Sequence, residues 1–328
     1  MYRAVMALPK ILDNALDTLV VPGFSRIGYL VRAGQFDPLD HNALAGKIVV
    51  ITGPTSGLGK ATAHQLAAMG ADLILVGRSA EKLERTKSEL VQNSETQKFE
   101  IVVADMGDLD AVRKASQLIL ESTTTLHALI HNAGALLKTR EESPQGYETT
   151  IATHVLGPHQ MTTDLLPLLR SSSGRVITVS SGGMYGATVP NIAGNQSPEM
   201  SPTNYDGTRQ YAIAKRIQVT LNEMWAVREP QVLFAAMHPG WADTPGVQDS
   251  LPAFRRVMKP LLRSPEQGAD TICWLASRSE SVDSGEFWCD RASRTIHRLS
   301  RTRKSDTPEA RGALGCGAKI TSRNKSAE

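Results

Sequence analysis

In KIVVITGPTSGLGKATA, residues 47–63, a short apolar run leads through closely spaced glycines into a helical pattern, and this order indicates the fold class. The β-branched run at its start predicts a buried strand. The glycines stand where the chain turns from strand to helix, and they let the backbone approach a pyrophosphate bound by the first helical amides. The loop residues that we predict to bind a dinucleotide are Gly53, Thr55, Ser56, Gly57, Leu58 and Gly59.

The rest of the central region alternates between strand-like and helix-like segments. The later strand-like runs are DLILVG (72–77), EIVVA (100–104), HALIHN (127–132), RVITVS (175–180) and VLFAAM (232–237). Parallel strands need crossover connections, usually helical, so the alternation predicts a parallel sheet covered on both faces. Since no repeat or Gly/Pro/Ser-rich linker interrupts it, residues 46–290 are expected to form a single α/β domain, a doubly wound parallel sheet of Rossmann type.

An N-terminal extension, residues 1–45, precedes this domain. Its apolar residues recur at helical spacing, which predicts an amphipathic helix. Asp13 and Asp17 argue against a mitochondrial presequence, which avoids acids. Two interpretations stay open, a helix docked on the protein's own core and a helix on a membrane surface or a partner.

A basic segment, residues 291–328, follows the domain. Residues 292–328 carry nine Lys or Arg against three acids and show little periodicity. We predict a disordered tail, and we expect residues 299–328 to be dispensable for folding and catalysis. Although the formal charge of the whole chain is +3, the excess of basic residues lies in this segment and the rest of the chain is near −3, so no specific nucleic-acid partner is expected.

The cysteines and histidines indicate the compartment and argue against a metal site. The three cysteines are widely spaced and form no C-x-x-C motif; they are Cys273, Cys289 and Cys316. This spacing favours a reducing, cytoplasmic environment. The histidines show no metal-binding spacing, and no metal is predicted. No run reaches the roughly 18 apolar residues of a membrane span.

The end of the second predicted strand discriminates between cofactors. An acid there would bind the adenosine ribose hydroxyls, whereas a basic residue accommodates a 2′-phosphate. Asp72 begins this strand and so lies at the wrong edge, while Arg78 follows its end. We therefore expect Arg78 to favour NADP(H) over NAD(H).

Tyr211 and Lys215, in YAIAK, are four residues apart and would share one face of a helix. Together with the glycine loop, HNAG (131–134) and a serine upstream, they resemble the short-chain dehydrogenase/reductase family over residues 46–290. The resemblance implies that Tyr211 is the catalytic acid/base, that Lys215 assists it and that Ser181 binds the substrate carbonyl. It also implies cofactor contacts for Asp105, Asn132, Ala133, Gly134, Pro239, Gly240 and Thr244. A neighbouring ammonium and an oxidised nicotinamide would lower the tyrosine pKa from about 10.

The sequence departs from the family pattern in two places. Ser181 and Tyr211 are 30 residues apart, which predicts an enlarged loop that shapes a substrate lid. His154 stands where the family usually has an asparagine whose main-chain carbonyl serves a proton relay. We expect an active enzyme, and two interpretations of His154 stay open: a second titrating group beside Tyr211, with an unperturbed pKa of about 6.5, or a helix-surface histidine without influence.

These observations predict an NADP(H)-dependent oxidoreductase that interconverts a carbonyl and an alcohol on a small lipophilic substrate. Two alternatives stay open. One is a catalytically silent nucleotide-binding scaffold, and the other is a lipid-active enzyme held in peripheral contact with a membrane by its N-terminal extension. The resemblance also suggests a homodimer formed through residues 146–170 and 205–228.

Overall fold

The computed structural model of the chain describes residues 10–94, 97–194, 196–278 and 282–315. A sheet in the order β3-β2-β1-β4-β5-β6-β7-β8 forms its centre, and every neighbouring pair is parallel except β7 and β8. The strands are β1 Ile48–Thr52, β2 Asp72–Gly77, β3 Phe99–Val103, β4 Ala128–His131, β5 Arg175–Val179, β6 Leu233–Met237, β7 Phe287–Cys289 and β8 Ala292–Ser293. The first six coincide with the predicted strands.

Helices connect the strands and cover both faces of the sheet. The α-helices are α1 Lys10–Thr18, α2 Val20–Phe24, α3 Arg26–Ala33, α4 Gly57–Ala68, α5 Ala80–Gln92, α6 Leu109–Ser122, α7 Thr149–Ile151, α8 Gly157–Ser171, α9 Gly207–Arg228, α10 Pro245–Ser250, α11 Pro252–Met258, α12 Pro265–Ser277, α13 Ser300–Ser305 and α14 Pro308–Gly315. A π-helical turn, Ala152–Leu156, joins α7 to α8.

The core lies on the two faces of the sheet, because successive strand residues point in opposite directions. Val49 and Ile51 of β1 pack with residues of α4 and α12 on one face. Val50 packs on the other face with residues of α6, α8 and α9. This arrangement confirms the doubly wound Rossmann-type fold.

The strand order reverses beside β1, which lies between β2 and β4. In open α/β sheets, ligands bind outside the carboxyl ends of the strands at such a switch point. Gly53 follows β1 and Asn132 follows β4, so the reversal brings two predicted cofactor-binding segments to the same edge.

The N-terminal extension is helical, as predicted, and its described part is docked on the domain. Arg32 of α3 is buried and pairs with Asp13 at 2.7 Å and with Asp290 at 2.8 Å. The buried Arg263 contacts the same Asp290. The extension is therefore fixed by ion pairs to residues far away in the sequence; residues 1–9 lie outside the described part. None of the described helices is long and apolar enough to cross a membrane.

The prediction of a disordered tail from residue 291 is wrong for residues 292–315. These residues form β8, α13 and α14, and Ala310 and Leu314 are buried in the main core beside α9. Arg294 and Arg298 pair with Asp13 and Asp17 of the extension. The composition misled because these arginines are neutralised by specific partners and a few apolar residues reach the core. The remainder of the predicted tail, residues 316–328, lies outside the described residues.

Candidate active site

The glycine loop lies between β1 and α4, at the carboxyl edge of the sheet. Gly53 and Gly57 have φ angles of 67° and 51°, in a region that other residues rarely adopt. A Cβ atom on Gly59 would lie 2.0 Å from the carbonyl oxygen of Gly53. The side chain of Ser56, at the N-cap of α4, makes no capping hydrogen bond. The first amides of α4 are thus placed to bind an anionic group.

The other predicted loop residues lie at this edge with different exposures. Ser56 is exposed and Thr55 is half-buried. The side chain of Leu58 points at Gly268 of α12, where an added Cβ would lie 2.4 Å from a Leu58 methyl carbon. Leu58 could therefore serve a cofactor only through its backbone.

Asn132 ties the segment after β4 to the glycine loop. Its side-chain amide donates to the carbonyl oxygens of Thr52 and Gly53, both at 3.0 Å. The backbone amides of Asn132 and Ala133 donate to the Thr52 hydroxyl at 3.0 Å. The side chain of Asn132 thereby sets the width of the cleft between the two segments.

Ser181, Tyr211 and Lys215 come together where β5 ends and α9 begins. The Ser181 hydroxyl hydrogen-bonds Tyr211, and the Lys215 ammonium lies 5.3 Å from the centre of the Tyr211 ring. The buried Lys215 donates to the carbonyl oxygen of Val179 at 2.8 Å. The preceding Ser180 is buried and donates to the Lys215 carbonyl at 3.0 Å. The structure thus separates the two serines, since only Ser181 faces the tyrosine.

Burial shifts the pKa values of this pair in opposite directions. It raises the pKa of Tyr211 to about 12, against the lowering effect of the Ser181 hydrogen bond. Burial lowers the pKa of Lys215 to about 7. Within the protein alone, Lys215 does not lower the pKa of Tyr211 as expected, because desolvation disfavours both the phenolate and the ammonium.

The π-helical turn frees a main-chain carbonyl beside this pair. The carbonyl of His154 would accept from residue 158 in an α-helix, but Pro158 has no amide hydrogen and its ring crowds that carbonyl. The helix widens by one residue, and the Gly157 amide donates to the carbonyl of Ala152. The Gln218 side chain on α9 donates to the freed His154 carbonyl at 2.7 Å. The backbone therefore deforms here without asparagine, and Gln218 binds the carbonyl that this deformation releases.

The side chain of His154 is buried against the predicted cofactor segment. Its Nε2 atom lies 2.9 Å from the carbonyl oxygen and 3.1 Å from the amide of Ala135. A Cβ on Gly134 would lie 2.3 Å from the imidazole. The imidazole and the Tyr211 ring are arranged edge to face, with 5.3 Å between the ring centres. Burial, reinforced by Lys215, holds its pKa well below the usual 6.5. The expectation that His154 titrates in the working pH range is therefore wrong.

The ends of β2 and β3 carry the residues predicted to contact the adenosine part. Arg78 is exposed directly after β2. It lies two residues beyond Val76, which pairs with Thr52 at the end of β1. Asp72, at the other end of β2, accepts from the Lys98 amide at 2.7 Å. Asp105 is exposed after β3 and accepts from the Gly107 amide at 2.8 Å; the N-cap of α6 is Asp108 instead. Arg78 and Asp105 are thus at the cleft edge, and Asp72 is not.

The segment after β6 faces the glycine loop. Thr244 caps α10 by accepting from the Val247 amide at 3.4 Å, and its side chain lies 3.1 Å from where a Cβ on Gly57 would be. Gly240 has a φ of 71°, and Pro239 accepts from Arg263 at 3.2 Å. Thr244 thus faces the glycine loop, whereas Pro239 and Gly240 contact Arg263.

Sequence reasoning missed the residues that support this segment from behind. Phe24 of the extension accepts at its carbonyl from the Trp241 amide at 2.8 Å, and its ring lies 2.5 Å from where a Cβ on Gly182 would be. Arg263 lies 2.4 Å from the Cβ position of Gly240. No motif marks either residue. Gln218 was missed as well, although Pro158 four residues after His154 predicts a carbonyl in need of a donor.

Comparisons with known proteins identify the family. The family model for short chain dehydrogenase matches residues 47–192. The human protein dehydrogenase/reductase SDR family member 12 is 37% identical over 313 residues, which cover 94% of this chain and 94% of that protein. The chain belongs to the short-chain dehydrogenase/reductase (SDR) family. The predicted resemblance is confirmed, and the protein is an SDR oxidoreductase.

Two other relatives extend the comparison. Human retinol dehydrogenase 12 is 30% identical over 254 residues, covering 75% of this chain and 78% of that protein. The solved structure of a short chain dehydrogenase from Shigella flexneri, complexed with NADP, has a TM-score of 0.61 at 22% identity and covers 77% of this chain and 100% of that one. At that identity the second likeness supports the fold alone.

The cleft fits the NAD(P) cofactor class of the SDR family. The cradle between β1, β4 and α4 consists of backbone with two positive-φ glycines and a helix N-terminus without a side-chain cap. Larger side chains at Gly53 or Gly59 would fill it, since Cβ atoms there would collide with Ala133 and Asn132. Backbone amides at a helix N-terminus are suited to a pyrophosphate.

Proposed function

We propose that this SDR enzyme is an NADP(H)-dependent oxidoreductase that interconverts a carbonyl and an alcohol, with Tyr211 as acid/base. The observation that carries the proposal is the convergence of Ser181, Tyr211 and Lys215 at the carboxyl end of β5. A hydroxyl donor, a phenol and an ammonium at one point are what proton exchange with a substrate oxygen requires. The tyrosine also stands at the carboxyl edge of the sheet, where the cofactor cradle opens.

Each side chain has a separate role in the proposed reaction. The bound dinucleotide would supply or accept a hydride at its nicotinamide ring. Ser181 donates a hydrogen bond to the substrate oxygen, and Tyr211 exchanges a proton with the same oxygen. Burial raises the pKa of Tyr211 to about 12, so the protein's own surroundings favour the phenol, the form that donates a proton during carbonyl reduction. Lys215 places its ammonium next to the phenol and, with a pKa lowered to about 7 by burial, can pass its proton on near neutrality.

The proposed preference for NADP(H) rests on Arg78. Its side chain is exposed after β2 and forms no ion pair within the described part of the chain. A guanidinium in that position suits a 2′-phosphate, and Asp72 is bound at the opposite edge of the sheet. Asp105, Ala133, Gly134 and Thr244 are proposed to complete the cofactor site.

The proposed substrate is a small lipophilic carbonyl or alcohol. Support comes from the likeness to retinol dehydrogenase 12 and from the enlarged loop after Ser181, in which Met184 and Tyr185 are buried.

A cytoplasmic location with peripheral membrane contact through the extension completes this proposal. A homodimer through α8 and α9 is proposed as well, and light scattering of the purified chain tests it.

The proposed activity is tested by NADPH oxidation across a panel of carbonyl compounds that includes retinoid, steroid, fatty aldehyde and quinone. Turnover with at least one compound is expected. NADPH binding without turnover of any compound would favour the other candidate, a silent nucleotide-binding scaffold. The bond between Ser181 and Tyr211 argues against the scaffold, because an unused site gives no reason to keep that pair together.

A further inference from the structure

The extension carries a concentrated apolar surface on its outer side. Thirteen large hydrophobic side chains are exposed among the described residues, and six of them fall within residues 19–31. These six, here called the outer apolar face, are Leu19, Val20, Val21, Ile27, Leu30 and Val31, with exposed fractions from 39% to 58%. The other seven are scattered over the rest of the chain. Exposed apolar side chains concentrated in one short, otherwise docked helical segment indicate a contact surface.

The charges of the extension are arranged around this face. Residues 18–36 contain no Asp or Glu and two Arg. Of the acids that flank this range, Asp13 and Asp17 face the protein, where they pair with Arg32, Arg294 and Arg298, while Asp37 and Asp40 are exposed beyond its C-terminal end. Within the same stretch as these apolar residues, Arg26 is a charged side chain that is also exposed. The outward surface therefore combines apolar groups with positive charge.

A neighbouring segment has the same character. Arg298 pairs with Asp17 and lies 5.2 Å from the centre of the Phe24 ring, which places the following residues beside α1 and α2. Leu299 is 44% exposed, and the basic residues exposed after it are Arg301, Arg303 and Lys304. These residues extend the outer apolar face with a basic rim.

The outer apolar face adjoins the substrate side of the active site. In the sequence, Phe24 lies between its two halves, at the end of α2 and two residues before α3. Phe24 itself contacts Gly182, next to Ser181, and Trp241, after Gly240. The surface and the catalytic loops are thus connected through one residue.

We propose that the outer apolar face binds the surface of a lipid bilayer that contains anionic head groups. Aliphatic side chains enter the interface between head groups and acyl chains, and Arg26 with the basic rim binds the anionic phosphates. No described helix can span a bilayer, so the contact is peripheral. The contact places the substrate-side loops against the bilayer, from which a lipophilic carbonyl reaches Tyr211; this last step rests on the proposed function.

The test uses the full chain and vesicles of phosphatidylcholine containing about one third phosphatidylserine. One variant combines Leu19→Ser, Val20→Ser and Val21→Ser, and a second combines Ile27→Ser, Leu30→Ser and Val31→Ser. A matched control combines Val91→Ser, Val103→Ser and Val227→Ser, which are exposed valines on α5, β3 and α9. Each variant of the face is expected to lower the vesicle partition coefficient at least about tenfold, while the control stays within about twofold of wild type.

Charge and folding are tested separately. Arg26→Glu is expected to weaken binding to the anionic vesicles severalfold and to leave binding to pure phosphatidylcholine unchanged. Melting temperature and NADPH titration verify that each variant is folded. Because Arg26 is a single exposed site, this variant keeps the proposal testable even where the triple variants unfold.

The proposal is overturned if wild type does not bind the vesicles, or if the control loses as much binding as the face variants. It is also overturned if the face variants change the mass found by light scattering, because the face would then join two copies of the chain. Vesicle binding is measured without substrate. Lost turnover with intact vesicle binding therefore counts against the proposed function alone, and turnover without vesicle binding counts against the lipid surface alone.

Discussion

Tyr211 and Lys215 show how burial acts on single side chains in this cleft. Burial raises the pKa of the phenol to about 12 and lowers that of the ammonium to about 7. Both shifts favour the neutral form, because a charged group loses hydration in a protein interior. The position of Tyr211 was predictable from YAIAK, but the sign of its pKa shift was not, since that depends on groups brought in from β5 and the π-helical turn.

His154 is expected to keep the same charge throughout the working range. Its pKa is held well below 6.5 by burial and by Lys215, so the imidazole stays neutral as the pH falls from about 8 to about 6.5. Turnover of His154→Asn should therefore change with pH in parallel with wild type, and any limb in this range should come from Lys215. Rates measured for both proteins over this range check it. An acidic limb within this range that His154→Asn lacks would contradict the account.

Arg78→Ala is expected to weaken NADPH binding by about 1.5–3 kcal/mol, the range for hydrogen bonds to charged groups, and to leave NADH binding unchanged. The reason is the missing partner for the 2′-phosphate. Fluorescence titration with both cofactors measures it, and Arg85→Ala, an exposed arginine on α5, is the matched control. Equal affinity of wild type for NADH and NADPH would show that the proposed preference is wrong.

At the scale of elements, the π-helical turn follows from one proline. Pro158 removes the amide that the His154 carbonyl would need, and Gln218 of α9 supplies a replacement donor at 2.7 Å. The turn thus depends on a contact between helices that are 64 residues apart in sequence. Sequence patterns predict the helices on both sides, yet the partner of the freed carbonyl is visible only in the folded chain.

Gln218→Leu is expected to reduce the free energy of unfolding by about 1–3 kcal/mol, because it leaves a buried carbonyl without a donor. Pro158→Ala supplies a backbone amide at the position that lacks one. The cost of Gln218→Leu should therefore be smaller in the Pro158→Ala background, and urea unfolding of the four proteins measures this coupling. Additive effects of the two changes would contradict the proposed cause of the turn. Gln117→Leu, an exposed position on α6, is the control.

α14 gives a prediction about the segment that the composition misjudged. Leu314 is fully buried in the main core, and Leu314→Ala is expected to cost about 2–5 kcal/mol of unfolding free energy. Leu299→Ala, at a position with 44% exposure, should cost less than about 1 kcal/mol. Thermal and urea unfolding distinguish the two. Equal stability of Leu314→Ala and wild type would restore the view that this segment is dispensable.

In the molecule as a whole, features that depend on local sequence patterns could be predicted, whereas features that depend on long-range contacts could not. The six strands β1–β6 and the place of Gly53 follow from apolar runs and glycine spacing, whereas Tyr211 and Ser181 were assigned to the site through the family resemblance. The docking of the extension does not, because Asp290 meets Arg32 and Arg263 over separations of 258 and 27 residues. Such ion pairs produce no periodic pattern in the sequence. From the sequence alone, the acids and arginines near both ends of the chain are therefore interpreted as charges exposed to solvent.

The proposed function requires that Tyr211 exchange the proton in an NADP(H)-dependent carbonyl reaction. The most direct measurement compares NADPH-dependent turnover of wild type, Tyr211→Phe and Tyr205→Phe with a carbonyl compound from the panel, alongside NADPH titration. Tyr205 is the matched control, since its hydroxyl donates to Glu148 at 3.0 Å and does not face Ser181. We expect Tyr211→Phe to lose at least about 100-fold in turnover with NADPH affinity unchanged, and Tyr205→Phe to stay within about tenfold of wild type. Turnover of Tyr211→Phe at the wild-type rate would contradict the account.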